Sequence, residues 1–327
     1  MPPLFMFGME RSGTTLMSMM MGAHPQIAVP LATTGMWFDF FERFSRDYQG
    51  AQSPEDLDRL VRDVMAHERI RLWRTPMNRE RLLAKVELGD FGSVVTAFHE
   101  EYARQLGKPY WGNIDIATLD NMHLAHRWFP DARFLHIVRD GRDVALSNQT
   151  MPYGPGNIAE CAEAWRKRLG INLRMGDILG PERYFVVCYE SLVIDPAATL
   201  QGICDFLKIG FSEEMLSYAA TVDARVPQEK LWLWPELKSP PQASKVDRWR
   251  REMSDSQRTV FEWIAGPLLR DLGYEAREQP PKRFGPYLLE LFYFLDRGGR
   301  TKRLLRKLGI HRSSKLEREA EKREEGK

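Results

Sequence analysis

The sequence predicts a three-layer α/β fold with a central, mostly parallel sheet, helical insertions and a helical C-terminal extension, and three observations predict it. Two passages, beginning at Leu4 and at Arg133, each run from a short apolar stretch through a tight turn into a helix-forming segment. The third is size: 327 residues at 43% hydrophobic content can bury a full core, so one α/β domain with insertions is expected over residues 1–279.

In the first passage, Leu4-Phe5-Met6-Phe7 leads into Gly8-Met9-Glu10-Arg11-Ser12-Gly13, and Thr14-Thr15-Leu16 opens a helix. The two glycines let the backbone turn and close on an anion. Successive N–H groups then point into the concavity, and the helix start adds the positive end of its dipole. This Gly-x-x-x-x-Gly spacing is the one a P-loop-type fold carries. It departs from a nucleotide triphosphatase loop, which has Lys and then Ser/Thr where this chain has Thr14-Thr15. The cation is Arg11, within the loop, a planar and permanently charged fork suited to phosphate or sulfate oxygens, with the Thr14 and Thr15 hydroxyls beside it. By itself the loop is equally compatible with an ordinary strand-to-helix turn.

Leu16 to Met21 are the helix core behind the loop, where methionines serve as adaptable packing. Helical patterns follow over Pro54–Trp73, Asn78–Leu88 and Phe91–Leu106, then a strand near Tyr110 and a helix from about Ala117. In the second passage, Phe134–Val138 reads as a buried strand, Asp140-Gly141 as the turn and Val144-Ala145-Leu146 as a helix start. Arg139 thus falls at the carboxyl end of a strand, where open α/β sheets bind ligands. Two helical turns bring Ser147 back beside it, making a second candidate anion site. A glycine- and proline-rich loop, residues 152–156, leads to a long helix over Ile158–Leu179.

With both passages in view, the chain resembles the PAPS-dependent sulfotransferases, above all the bacterial and tyrosylprotein-type branch with an RSGTT loop and an R-D-G-R…S second motif. The remaining pieces follow in order: His24-Pro25, Phe129-Pro130-Asp131-Ala132, Tyr184–Cys188 leading to Tyr189-Glu190-Ser191-Leu192, Lys245-x-x-Arg248-Trp249, and Leu272-Gly273-Tyr274. The resemblance covers about residues 3–275. It implies that Arg11, Ser12, Gly13, Thr14 and Thr15 hold the 5′-phosphosulfate of PAPS and that Arg139 and Ser147 hold its 3′-phosphate. Tyr189, Lys245 and Arg248 join them as nucleotide-binding candidates. Tyr189 and Trp249 have an alternative reading as aromatics packed on the core.

The acceptor half departs from the family. Relatives carry a Glu after the His-Pro segment as general base and a Lys in a Lys-x-Pro element, and this chain has Ala32 and Ile114 at those places. Asp115, Glu10, Asp39, His99 and His123 are candidate replacement bases, with Asp115 favoured because it follows the strand end that faces the donor. Its plainer reading is a helix-capping carboxylate, and the default for His99 and His123 is the surface of a helix. The expected activity is sulfuryl transfer from PAPS, with PAP as product and no metal, to a hydroxyl of a small molecule, lipid or carbohydrate. The alternative is a catalytically impaired or repurposed nucleotide-binding protein on the same scaffold. Trp37, Phe38, Phe40, Phe41 and Phe44 either line the acceptor pocket or form a core stripe. Residues 227–241 read as a gate that orders on donor binding.

The net charge of +2 is too balanced to predict nucleic-acid binding. Cys161, Cys188 and Cys204, odd in number and in apolar or helical settings, suit a reducing compartment. The first strand begins at once, so no leader is expected and the protein reads as cytoplasmic. Past residue 280 the composition shifts. Residues 280–310 form an aromatic and basic extension, whose 284–310 part could rest on an anionic membrane, pack on the main domain or form a homodimer. Residues 311–327 are a charged tail.

Overall fold

The structure, a computed structural model, describes residues 1–31, 35–149, 157–226, 231 and 235–277. The extension, the tail, the 152–156 loop, Ala32 and much of the proposed gate lie outside the described residues.

The strands are β1 (Leu4–Gly8), β2 (Ile27–Ala28), β3 (Tyr110–Ile114), β4 (Arg133–Val138) and β5 (Tyr184–Cys188). They form one sheet in the order β2-β3-β1-β4-β5, and every adjacent pair is parallel. β1 is buried along its whole length, as expected of a central parallel strand covered on both faces. β2 is a two-residue edge, too short to leave a periodic signal in the sequence.

The helices are α1 (Thr14–Ala23), α2 (Met36–Asp47), α3 (Pro54–Ala66), α4 (Glu68–Arg71), α5 (Arg79–Leu83), α6 (Phe91–Gln105), α7 (Thr118–Trp128), α8 (Gly141–Gln149), α9 (Ile158–Leu179), α10 (Tyr189–Ile194), α11 (Pro196–Leu207), α12 (Val222–Arg225), α13 (Trp249–Glu252) and α14 (Asp255–Asp271). Local chemistry sets several of their starts. Ser53 caps α3 with Pro54 behind it, Asp195 caps α11 ahead of Pro196, and Ser254 with Gln257 forms a reciprocal capping box on α14. The helix expected over 54–73 breaks at His67, which adopts extended backbone and accepts the Arg69 amide with its ring, restarting the chain as α4. Histidine is not a usual capping residue, which is why the periodic pattern ran through it.

The chain divides into two compact units. One comprises Met1–Val138 and Asn172–Ala243 and contains the whole sheet; the other comprises Arg139–Ile171 and the described residues from Ser244 to Arg277. In the first unit, Phe5 packs between Phe129 and Phe134, and His136 stacks on Phe7 with centroids 4.7 Å apart. The His136 Nδ1 lies 2.5 Å from the Tyr184 hydroxyl, and burial drives its pKa down to about 3.

One expectation is corrected here, and one choice left open by the sequence is decided. His99 is not on a helix surface: it is fully buried, stacked 4.6 Å from Trp111, and burial lowers its pKa to about 4. The α2 aromatics are core: Trp37 meets Phe98 and Trp73, Phe38 stacks on Trp128, Phe41 meets Phe91, and Phe44 meets Phe91. An amphipathic stripe of rings looks the same in sequence whether it faces a cavity or other rings.

Candidate active site

The glycine loop is shaped by main-chain constraints. Gly8 closes β1 where a Cβ would lie 2.5 Å from the Ile137 carbonyl oxygen of β4, so only glycine fits. The Ser12 amide then donates to the Met9 carbonyl at 3.0 Å, and Arg11 and Gly13 both take left-handed backbone, with φ of 68° and 94°. A non-glycine residue in that region costs about 1–2 kcal/mol, and such strain concentrates at functional sites. α1 opens directly from Gly13 with neither a capping side chain nor a first-turn carboxylate to offset its positive end.

The far end of α1 is held by two half-buried cations. Lys108 Nζ donates to the carbonyls of Gly22, His24 and Ile27, and Arg225 donates to those of Ser18, Met19 and Val29. The helix that carries the loop is therefore fixed at its carbonyl end by charge-assisted bonds from distant parts of the chain. Sequence reading missed both residues, because nothing local marks a lysine or an arginine as a cap for a helix it does not belong to.

Tyr189, the first residue of α10, joins the loop. Its ring lies against Gly13, where an added Cβ would come within 2.5 Å, and the residue is 8% exposed. Gly13 is thus constrained twice, by its φ and by that ring.

Asp115 follows β3, the neighbour of β1, and its amide donates to the Met6 carbonyl at 3.0 Å. Its carboxylate accepts the Gly35 amide at 2.8 and 2.9 Å and the Ala117 amide at 2.9 Å. The side chain therefore caps the turn into α7 and holds the start of α2. Burial raises its pKa to about 6, against the lowering effect of those amides. Ile114 beside it is buried.

In the second unit, Arg139 and Ser147 are 5% and 6% exposed. An Arg139 Nη donates to the Lys245 carbonyl at 2.7 Å and lies 3.6 Å from the Asp143 carboxylate, while the Trp165 indole N–H donates to the Arg139 carbonyl at 3.2 Å. Asp143 accepts the Trp249 amide at 2.8 Å. Lys245 meets Arg139 through its main chain, and Arg248 pairs with Glu252. Trp249 takes the packed-aromatic reading: it is 1% exposed, with the guanidinium groups of Arg142, Arg250 and Arg258 at 3.5, 4.4 and 4.7 Å from its indole. Arg142, also buried, is bound by Asp140 and Glu262. Asp140, Arg142, Asp143 and Glu262 form a framework that the sequence reading did not single out. The dense charge of Arg139–Asp143 just after a strand was its only local sign.

Among the described residues there is no group of three or more His, Cys, Asp or Glu able to hold a metal ion. No described helix is long and apolar enough to cross a membrane.

A model described as the sulfotransferase family matches residues 2–213. The chain belongs to the sulfotransferase family. It is a transferase of the class that takes its sulfuryl group from PAPS. Relatives include protein-tyrosine sulfotransferase 2 of Gallus gallus, 25% identical over 86% of this chain and 71% of the relative. Protein-tyrosine sulfotransferase 1 of Homo sapiens is 26% identical over 86% of this chain and 72% of the relative. Among solved structures, the sulfotransferase domain of the Synechococcus PCC 7002 olefin synthase superposes with a TM-score of 0.57 at 20% identity, over 84% of this chain and 96% of that domain. The sulfotransferase domain from the curacin biosynthetic pathway gives 0.55 at 19%, over 85% and 99%. These two likenesses show that the sulfotransferase has the α/β fold of that family.

Proposed function

We propose that this sulfotransferase moves the sulfuryl group of PAPS onto a phenolic hydroxyl. Arg11, Ser12, Gly13, Thr14 and Thr15 hold the 5′-phosphosulfate, Arg139 and Ser147 bind the 3′-phosphate, Tyr189, Lys245 and Arg248 contribute to nucleotide binding, and Asp115 takes the acceptor proton. The observation that carries the reading is the loop: two left-handed residues and an uncapped helix start, with the only loop cation at Arg11. In the transfer, the acceptor oxygen forms a bond to sulfur as the bond from sulfur to the bridging phosphate oxygen breaks. The hydroxyl proton passes to Asp115, and PAP leaves with the bonding pair. Arg11 and the loop amides offset charge on the sulfuryl oxygens and on the departing phosphate.

The acceptor class follows from proton affinity. A carboxylate with a pKa near 6 is a modest base; a phenol, with a pKa of about 10, gives up its proton to such a base far more readily than an alkyl alcohol does. Relatives aligned over most of the chain are protein-tyrosine sulfotransferases, which supports a tyrosyl phenol as the first acceptor to try. A hydroxyl on a small molecule, lipid or carbohydrate is the second reading, and the replacement of the family's Glu and Lys at Ala32 and Ile114 favours instead the catalytically impaired nucleotide-binding alternative.

The test is PAP release from PAPS across a panel of tyrosyl peptides, simple phenols, alkyl alcohols, lipids and sugars, for wild type and Asp115→Asn. Turnover confined to phenols supports the proposal, and turnover confined to alcohols replaces it with the second reading. Tight PAP binding without turnover on any acceptor establishes the impaired nucleotide-binding alternative.

A further inference from the structure

Beyond the residues proposed to bind the donor, the second unit contains a buried carboxylate that faces Arg139. Asp143 sits one helical turn after Arg139, with its side chain fully buried. One of its oxygens accepts the Trp249 amide, and the other lies 3.6 Å from the Arg139 guanidinium, beyond hydrogen-bond range but close enough for charge to orient it. The same guanidinium donates to the Lys245 carbonyl. Arg139, Asp143 and the main chain at Lys245 and Trp249 therefore close a ring of polar contacts across about a hundred residues of sequence. The ring is backed by Trp165 on the Arg139 carbonyl and by Arg142 against the Trp249 indole.

We propose that Asp143 is a positioning residue for nucleotide recognition: through the Trp249 amide and the Arg139 guanidinium it sets Arg139 and the Lys245–Trp249 segment in one fixed arrangement that selects a 3′-phosphorylated nucleotide. The inference rests on the proposed role of Arg139. The contact of this carboxylate with the Trp249 amide and its attraction for the facing Arg139 guanidinium are separable. Asparagine can keep the first through its carbonyl oxygen and discards the charge of the second, whereas alanine discards both.

The experiment is calorimetric titration of wild type, Asp143→Asn and Asp143→Ala with PAP and with 5′-AMP, which lacks the 3′-phosphate, together with amide exchange at residues 245–252. Wild type is expected to prefer PAP over 5′-AMP. Asp143→Ala is expected to lose about tenfold or more in PAP affinity, with unchanged 5′-AMP affinity and faster exchange at Trp249. Asp143→Asn is expected to recover most of the PAP affinity and the slow Trp249 exchange. The inference is overturned if Asp143→Ala binds PAP as wild type does, if both nucleotides weaken equally, or if Asp143→Asn fails to recover what Asp143→Ala loses. A wild type without preference for PAP overturns the assignment of Arg139 itself, and this inference with it.

Discussion

Residues 8–15 of the first unit present main-chain amides bent by two left-handed residues, while residues 139–147 of the second present side chains set in a buried network of charge. The loop needs glycine at two positions for steric reasons and depends on few side chains. The arginine cluster tolerates ordinary backbone and depends on carboxylates to aim its cations. A main-chain site resists most side-chain substitution but fails outright when a Cβ is added. The side-chain site is expected to degrade by degrees as the carboxylates that hold its cations are removed. The contrast suits the two ends of the proposed donor: the end where bonds break gains from rigid amides, and the end that is only recognised gains from oriented cations.

Substitutions can break or sharpen that contrast. Asp115→Asn, which belongs to neither region, is expected to lower kcat by about 10²–10⁴-fold, the range for a lost general base. The acid limb of the rate profile, centred near the Asp115 pKa of about 6, is expected to disappear with it. An unchanged profile would move the base elsewhere. Arg142→Ala is expected to cost about 3 kcal/mol of stability by removing the guanidinium that pairs with buried Asp140, read as a lowered urea midpoint; Arg258 still pairs with Glu262 and limits the loss.

Gly13→Ala combines a left-handed φ with overlap on the Tyr189 ring. It is expected to reduce kcat/KM by about 100-fold, and Gly13→Ala with Tyr189→Ala is expected to recover only the steric part. Equal recovery to wild type would mean that φ carries no cost and that the loop is less constrained than the contrast requires. Arg139→Ala is expected to weaken PAP by about 10- to 100-fold, the worth of one or two charge-assisted bonds, with little change for 5′-AMP by calorimetry.

The smallest effect is on the pH dependence of folding. His99 and His136 hold pKa values near 4 and 3, so between about pH 4 and 6 the unfolded chain binds two protons there that the native chain does not. Asp115, raised to about 6, acts oppositely with one proton. The balance of one proton among these three groups makes their share of the stability fall on acidification, by about 1.4 kcal/mol per pH unit. Urea unfolding at pH 6 and pH 4.5 reads it, and Asp115→Asn is expected to steepen the fall.

Much of this was legible in the chain itself. Apolar runs bounded by turns located β1 and β4, because a buried parallel strand has no polar face to disguise it. Gly13 marked the loop through a left-handed φ that needs no distant partner, whereas Gly8 is required by the Ile137 carbonyl of β4. The split of α3 from α4 was hidden because a histidine ring did the work of a capping hydroxyl. The α2 aromatics could not be placed, because their periodicity names a face but not what covers it.

What the sequence determined by itself, then, is everything that depends on neighbours within a few residues: where strands end, where the backbone must bend, where a cation follows a strand. Tertiary structure alone decided which distant groups complete those places: Tyr189 on Gly13, Lys108 and Arg225 on the end of α1, Gly35 on Asp115, Trp249 on Asp143 and Glu262 on Arg142. The physical reason is that hydrogen bonds and burial act through space, and no periodicity records which two points of a chain, a hundred residues apart, will share one carboxylate.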